Sequence, residues 1–76
     1  MLKVLVTGAN GRTGRALVQA LARASSPRVP VQVRAFIRDA AQWPALAALG
    51  ASEHAVGNMA DAASVEAALQ GCDALQ

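Results

Sequence analysis

Residues 2–14 read LKVLVTGANGRTG, an apolar run closed by Gly8 and followed by a G-x-x-G-x-x-G pattern through Gly11 and Gly14. Leu2 to Thr7 is rich in β-branched residues, the composition of a buried parallel strand. Arg12 to Ala24 follows, with Leu17, Ala20, Leu21 and Ala24 at the i, i+3, i+4, i+7 spacing of one helix face. Between a strand and a helix, three glycines have separate physical uses. Gly8 lets the chain leave the strand in a tight turn, Gly11 lets the backbone approach a pyrophosphate, and Gly14 lets the helix lie close against the strand. The pyrophosphate would rest on free N–H groups at the start of the helix, where the macrodipole favours an anion. Taken alone, the glycines could equally form a turn with no ligand. The strand before, the helix after and a second strand beyond supply the context of a dinucleotide-binding fingerprint. A P-loop is excluded, because no lysine follows the glycines and the chain's one lysine is Lys3.

Working outward, Ser25-Ser26-Pro27-Arg28-Val29-Pro30 ends the first helix, and Val31 to Ile37 (VQVRAFI) reads as a second strand. The next helix has two possible starts. Asp39-Ala40-Ala41-Gln42 has the spacing of a capping box, and Pro44 suits a first helical position. Either way Leu46 to Leu49 is helical and Gly50 terminates it. Ser52 to Val56 is a short third strand. Asp61 caps a third helix whose inward face is Ala62, Val65 and Leu69, with Gly71 closing it. Asp73 to Gln76 begins a fourth strand. The order β-α-β-α-β-α-(β) implies right-handed crossovers and a parallel sheet with helices on both faces. The fold class is α/β, a Rossmann-like doubly wound sheet, truncated at its fourth strand, with residues 1–76 forming a single N-terminal part of a dinucleotide-binding domain.

Composition narrows the function classes. With 54% hydrophobic and 16% charged residues, the chain is not a disordered tail. One cysteine excludes an internal disulfide and a Cys-rich zinc site. Seven Lys/Arg against five Asp/Glu, with no basic run, argue against nucleic acid. No apolar stretch approaches the ~18 residues of a membrane span, and the start of the chain enters a strand rather than a signal peptide. The expected location is cytoplasmic. There is no tyrosine, so a Tyr–Lys catalytic pair is excluded for these residues.

The segments VLVTGANGRTGRALVQAL, VRAFIRD, HAVGNMAD and SVEAALQGCDAL occur in that order over nearly the whole chain. In them the sequence resembles the NmrA-like branch of the atypical short-chain dehydrogenase/reductases, whose NAD(P)H-binding reductases and nucleotide-sensing regulators share one domain. The resemblance implies that Gly8, Asn10, Gly11, Arg12, Thr13 and Gly14 line the diphosphate. It implies that Arg38 faces the adenosine ribose, where the family often places an arginine for the 2′-phosphate. Asn58 and Met59 match the polar-then-apolar pair that borders the adenine. The family usually has Asp at the position of Asn58, and an amide can still donate to and accept from the adenine edge. Family members continue through later strands that carry the nicotinamide pocket, so no catalytic residue and no metal ligand is expected in this chain.

Several residues carry alternatives. Arg12 and Arg15 stand in the first turn of a helix, where cations oppose the macrodipole by ~0.3–1 kcal/mol each; a bound polyanion reverses that effect, and bending into solvent avoids it. Asp39 either caps its helix or binds ribose hydroxyls, as the acid does in NAD-preferring folds. His54 reads as a structural or surface residue, Cys72 as a small packed hydrophobe, and Trp43 as core. The expected cofactor is NADP(H) rather than NAD(H), in an oxidoreductase, with a non-catalytic redox sensor as the alternative. The first strand should lie between the second and the fourth. With the fourth strand only a stub, one edge of the apolar first strand is left unpaired, which leads to an expectation of self-association or of a C-terminal remainder.

Overall fold

The computed structural model describes residues 1–76. Strand β1 (Leu2–Val6) leads through the glycine loop into helix α1 (Arg12–Ala24), then β2 (Val31–Ile37), a 3-10 turn (Ala40–Gln42) running into α2 (Trp43–Ala48), β3 (Glu53–Val56), α3 (Ala62–Leu69) and β4 (Ala74–Leu75). The sheet order is β3-β2-β1-β4 and every pairing is parallel, with Leu2 opposite Val31, Arg34 opposite Glu53 and Val4 opposite Ala74. This is the Rossmann-like α/β arrangement expected from the alternation of elements, with β1 between β2 and β4.

The pleat divides the apolar side chains between two layers. Val4 and Val6 of β1, with Val33, Ala35 and Ile37 of β2, face one side and join Val18 of α1 and Leu46 of α2. Leu5 and Phe36 point to the opposite side and meet Ala68 of α3. Successive side chains of a strand alternate between faces, so an unbroken apolar run is what a sheet covered on both sides requires. Burying a Val, Leu or Phe side chain contributes roughly 1.5–3 kcal/mol, and these residues supply most of the core.

Two helix faces differ from the sequence expectation. In α1 the buried positions are Gly14 and Val18, while Ala20 and Ala24 are exposed. The helix is rotated so that Gly14 packs under the glycine loop, and the larger Leu17 and Leu21 pack, partly buried, against the first core layer. In α3 it is Ala68 that is buried and Ala62 that is exposed, because the close contact with Leu5 and Phe36 forms at the C-terminal end of this helix.

The ambiguous start before α2 resolves by using both signals. Asp39 accepts a hydrogen bond from the Ala41 N–H at 2.9 Å, and Gln42 Oε1 accepts one from the Asp39 N–H at 3.4 Å, completing a capping box around the 3-10 turn. Pro44 then sits in the first turn of α2, where a missing N–H leaves nothing unpaired. Asp61 caps α3 by accepting from the Ala63 N–H at 3.1 Å.

Candidate functional site

A cavity of about 300 Å³ opens where β1, β2 and β3 end, at the small end of the range for ligand pockets. Gly8, Ala9, Asn10 and Gly11 form one wall, Phe36, Ile37 and Arg38 at the end of β2 another, with Gln42, Gly57 and Met59 completing it. Ligands of open parallel sheets bind beyond the C-terminal ends of the strands, and the cavity occupies that place.

The glycine loop has the shape its sequence requires. Gly8 turns with φ of +61°, a conformation that L side chains rarely adopt. Gly14 lies against the loop so closely that a Cβ there would overlap the Gly8 carbonyl oxygen and stand 2.8 Å from Ala9 Cα. Gly11 is different: its backbone is extended (φ −76°, ψ 168°), and a Cβ would meet only Gly8 O at 3.3 Å. The protein itself nearly accommodates a side chain at Gly11, so the open space in front of it is available to a ligand.

Gly11 is the N-cap of α1 and makes no side-chain cap bond. The Gly11 N–H donates to Gly8 O at 3.0 Å, and the Arg15 N–H donates to Gly11 O at 2.8 Å. The N–H groups of Arg12, Thr13 and Gly14 between them have no protein acceptor. Unpaired donors at the start of a helix, beside a loop opened by Gly8 and Gly11, suit the charge of a diphosphate.

Of the residues singled out from sequence, Gly8, Asn10, Gly11, Arg38 and Met59 come together in the cavity wall, whereas Arg12, Thr13, Gly14 and Asn58 do not line it. Gly14 packs against the backbone of Gly8 and Ala9, and Thr13 is exposed. The Arg12 side chain is exposed. Arg15 does not extend freely into solvent: its Nε donates to Asn10 O at 3.1 Å and its Nη2 to Asn10 Oδ1 at 2.6 Å, tying the helix to the loop. Asn58 Oδ1 accepts from the Ala60 N–H at 2.9 Å, which commits its oxygen to a local turn. Met59 is 54% exposed, an apolar rim beside the cavity.

The site is cationic at one corner. Arg38 is exposed there, and no acidic side chain lines the cavity, since the Asp39 carboxylate is engaged in the capping box. The shifted carboxylate, Glu53, belongs to a separate cluster. Hydrogen bonding from Lys3, and then from Arg34, holds Glu53 below the ordinary glutamate range against the opposing effect of burial. Elsewhere Trp43 packs against the first core layer and stacks on exposed His54 with ring centroids 4.6 Å apart. Cys72 is half-buried against the second layer. No three His, Cys, Asp or Glu residues are grouped to hold a metal, and no helix is long and apolar enough to cross a membrane.

Sequence reasoning missed Gln42 as a wall residue and the Asn10–Arg15 link. Gln42 stands four residues after Arg38, and its box spacing was a sign that it folds back toward the end of β2. The Arg15 bond joins loop to helix across a turn, where no periodicity signals it.

Comparison with known proteins bears on the family and the fold. The NAD(P)H-binding family matches residues 8–75. A solved structure from Bacillus halodurans, described as an NAD-dependent epimerase/dehydratase, is similar with a TM-score of 0.85 and 31% sequence identity. The similarity covers 99% of this chain and 32% of that one, so the chain spans about a third of that protein's length. No curated protein matches the sequence.

Proposed function

Because the chain belongs to the NAD(P)H-binding family, we propose that it forms the adenosine and diphosphate half of an NADP(H) site, in an oxidoreductase of the atypical short-chain dehydrogenase/reductase type and of its NmrA-like branch. The N–H groups of Arg12, Thr13 and Gly14 receive the diphosphate, and Gly11 leaves it room. Met59 covers the adenine, and the free amide nitrogen of Asn58 is its polar neighbour. When bound, the dinucleotide supplies hydride transfer, and these residues supply its orientation.

The choice of NADP(H) over NAD(H) rests on the end of β2. An NAD-selective site places an acid there to hold the ribose hydroxyls. Here Arg38 borders the cavity and the carboxylate of Asp39 is bonded to the Ala41 N–H. An arginine offers a planar fork matched to phosphate, and no carboxylate lines the cavity to repel one. Isothermal calorimetry with both cofactors tests the reading. Arg38→Ala should weaken NADPH binding roughly ten- to a hundredfold, the worth of a hydrogen bond to a charged group, and leave NADH almost unchanged. Equal losses would assign Arg38 to the fold or the shared diphosphate, and an intrinsic preference for NADH would refute the NADP(H) reading.

A further inference from the structure

Gln42 borders the same cavity as Arg38, and its side chain is oriented by chemistry rather than by chance. Its Oε1 accepts the Asp39 N–H at 3.4 Å. A backbone N–H can only donate, so the amide oxygen must be the atom that faces it, and the two hydrogens of Nε2 are left without a protein partner. The capping box thus converts a two-sided amide into a donor. Glutamate completes such a box as well as glutamine does, so capping alone does not select the amide. A carboxylate at this position would stand near Arg38 and repel a phosphate dianion, whereas an oriented NH₂ group adds a hydrogen bond to it.

Resting on the NADP(H) reading above, we propose that Gln42 is a specificity-determining residue, donating from Nε2 to the 2′-phosphate beside Arg38. Asp39 is its positioning residue, through the backbone N–H that fixes the amide. Two jobs are combined in one short turn: the acid that could favour NAD is held in a cap, and the residue completing that cap favours NADP.

The test uses 2′,5′-ADP and 5′-AMP, which differ only in the 2′-phosphate, with affinities measured by calorimetry on the wild-type protein, Gln42→Ala and Gln42→Glu. Gln42→Glu retains an oxygen for the Asp39 N–H and so keeps the box, which unchanged circular dichroism and melting verify. We expect 2′,5′-ADP to bind about tenfold more weakly in Gln42→Ala and more weakly still in Gln42→Glu, while 5′-AMP stays within about twofold in both. Equal effects on the two nucleotides, or none on either, would overturn the role of Gln42 while leaving the nucleotide site standing. A wild-type protein that bound neither nucleotide would overturn both, and one that bound both equally would overturn the NADP(H) reading together with Gln42.

Discussion

Gly11 and Gly14 are three residues apart and glycine for opposite reasons. At Gly14 the constraint is internal, because a Cβ would collide with the backbone of Gly8 and Ala9, which cannot rotate away. Gly14→Ala should therefore push α1 off the loop and destabilise the protein by about 1–3 kcal/mol, the range for overpacking, read as a lower urea midpoint. At Gly11 the constraint is external. Gly11→Val fits the extended backbone and should leave helix content nearly unchanged while abolishing binding of NADPH and NADH alike, since the side chain occupies the diphosphate's space. Near-normal calorimetric affinity in that variant would contradict the phosphate-loop reading. The sequence distinguished these uses in outline, because the order strand, glycines, helix is local. It left Arg15 open between solvent and anion, and the structure gives it a third role, holding Asn10 through both its backbone and side-chain oxygens.

Among the elements, β2 joins the parts. Arg34 at its centre donates from Nε to Glu53 of β3 at 2.9 Å and from Nη1 to Ala68 O at 2.5 Å and Gln70 O at 2.6 Å, pairing carbonyls at the C-terminal end of α3 that the helix leaves open. Lys3 of β1 reaches the same Glu53 oxygen at 3.0 Å. One carboxylate thus links three adjacent strands through two cations. Its pKa is lowered in the folded state, chiefly by the Lys3 hydrogen bond and then by Arg34. The group consequently adds stability above its ordinary value of 4.5, and that contribution is lost as pH falls below 4.5 and through the depressed folded value. With the Glu53 side chain 38% exposed, solvent screens the pair and the effect is modest. Thermal melts between about pH 3 and 6 should show a steeper acid-side fall for the wild type than for Glu53→Gln; parallel curves would assign no linkage to this cluster. None of it was legible from sequence, because Lys3, Arg34 and Glu53 are brought together only by strand register.

For the whole molecule, 13 of 76 residues are buried, so the core is thin and a domain of this size rarely holds more than about 3–5 kcal/mol. A ligand at about a hundred times its Kd adds ~2.7 kcal/mol to the folded state, a large share of that total. NADPH at that excess should raise the melting temperature by on the order of 10 °C, and NADH at the same concentration by less; a melt insensitive to both would count against nucleotide binding by this fold. The sequence by itself determined the order of elements, the glycine loop, the cap at Asp61 and the parallel, two-faced sheet. These follow from hydrophobic runs, turn residues and caps, whose physics acts over a few neighbouring residues. Only the tertiary structure decided which stripe of α1 faces inward, that Asp39 turns to its own helix, and that Gln42 joins Arg38 at one cavity. The inward stripe of α1 depends on how that helix packs against β1 and β2, and the placing of the Asp39–Gln42 turn beside the cavity depends on Trp43 and Leu46 packing against the sheet, contacts that the local spacing of these residues does not specify.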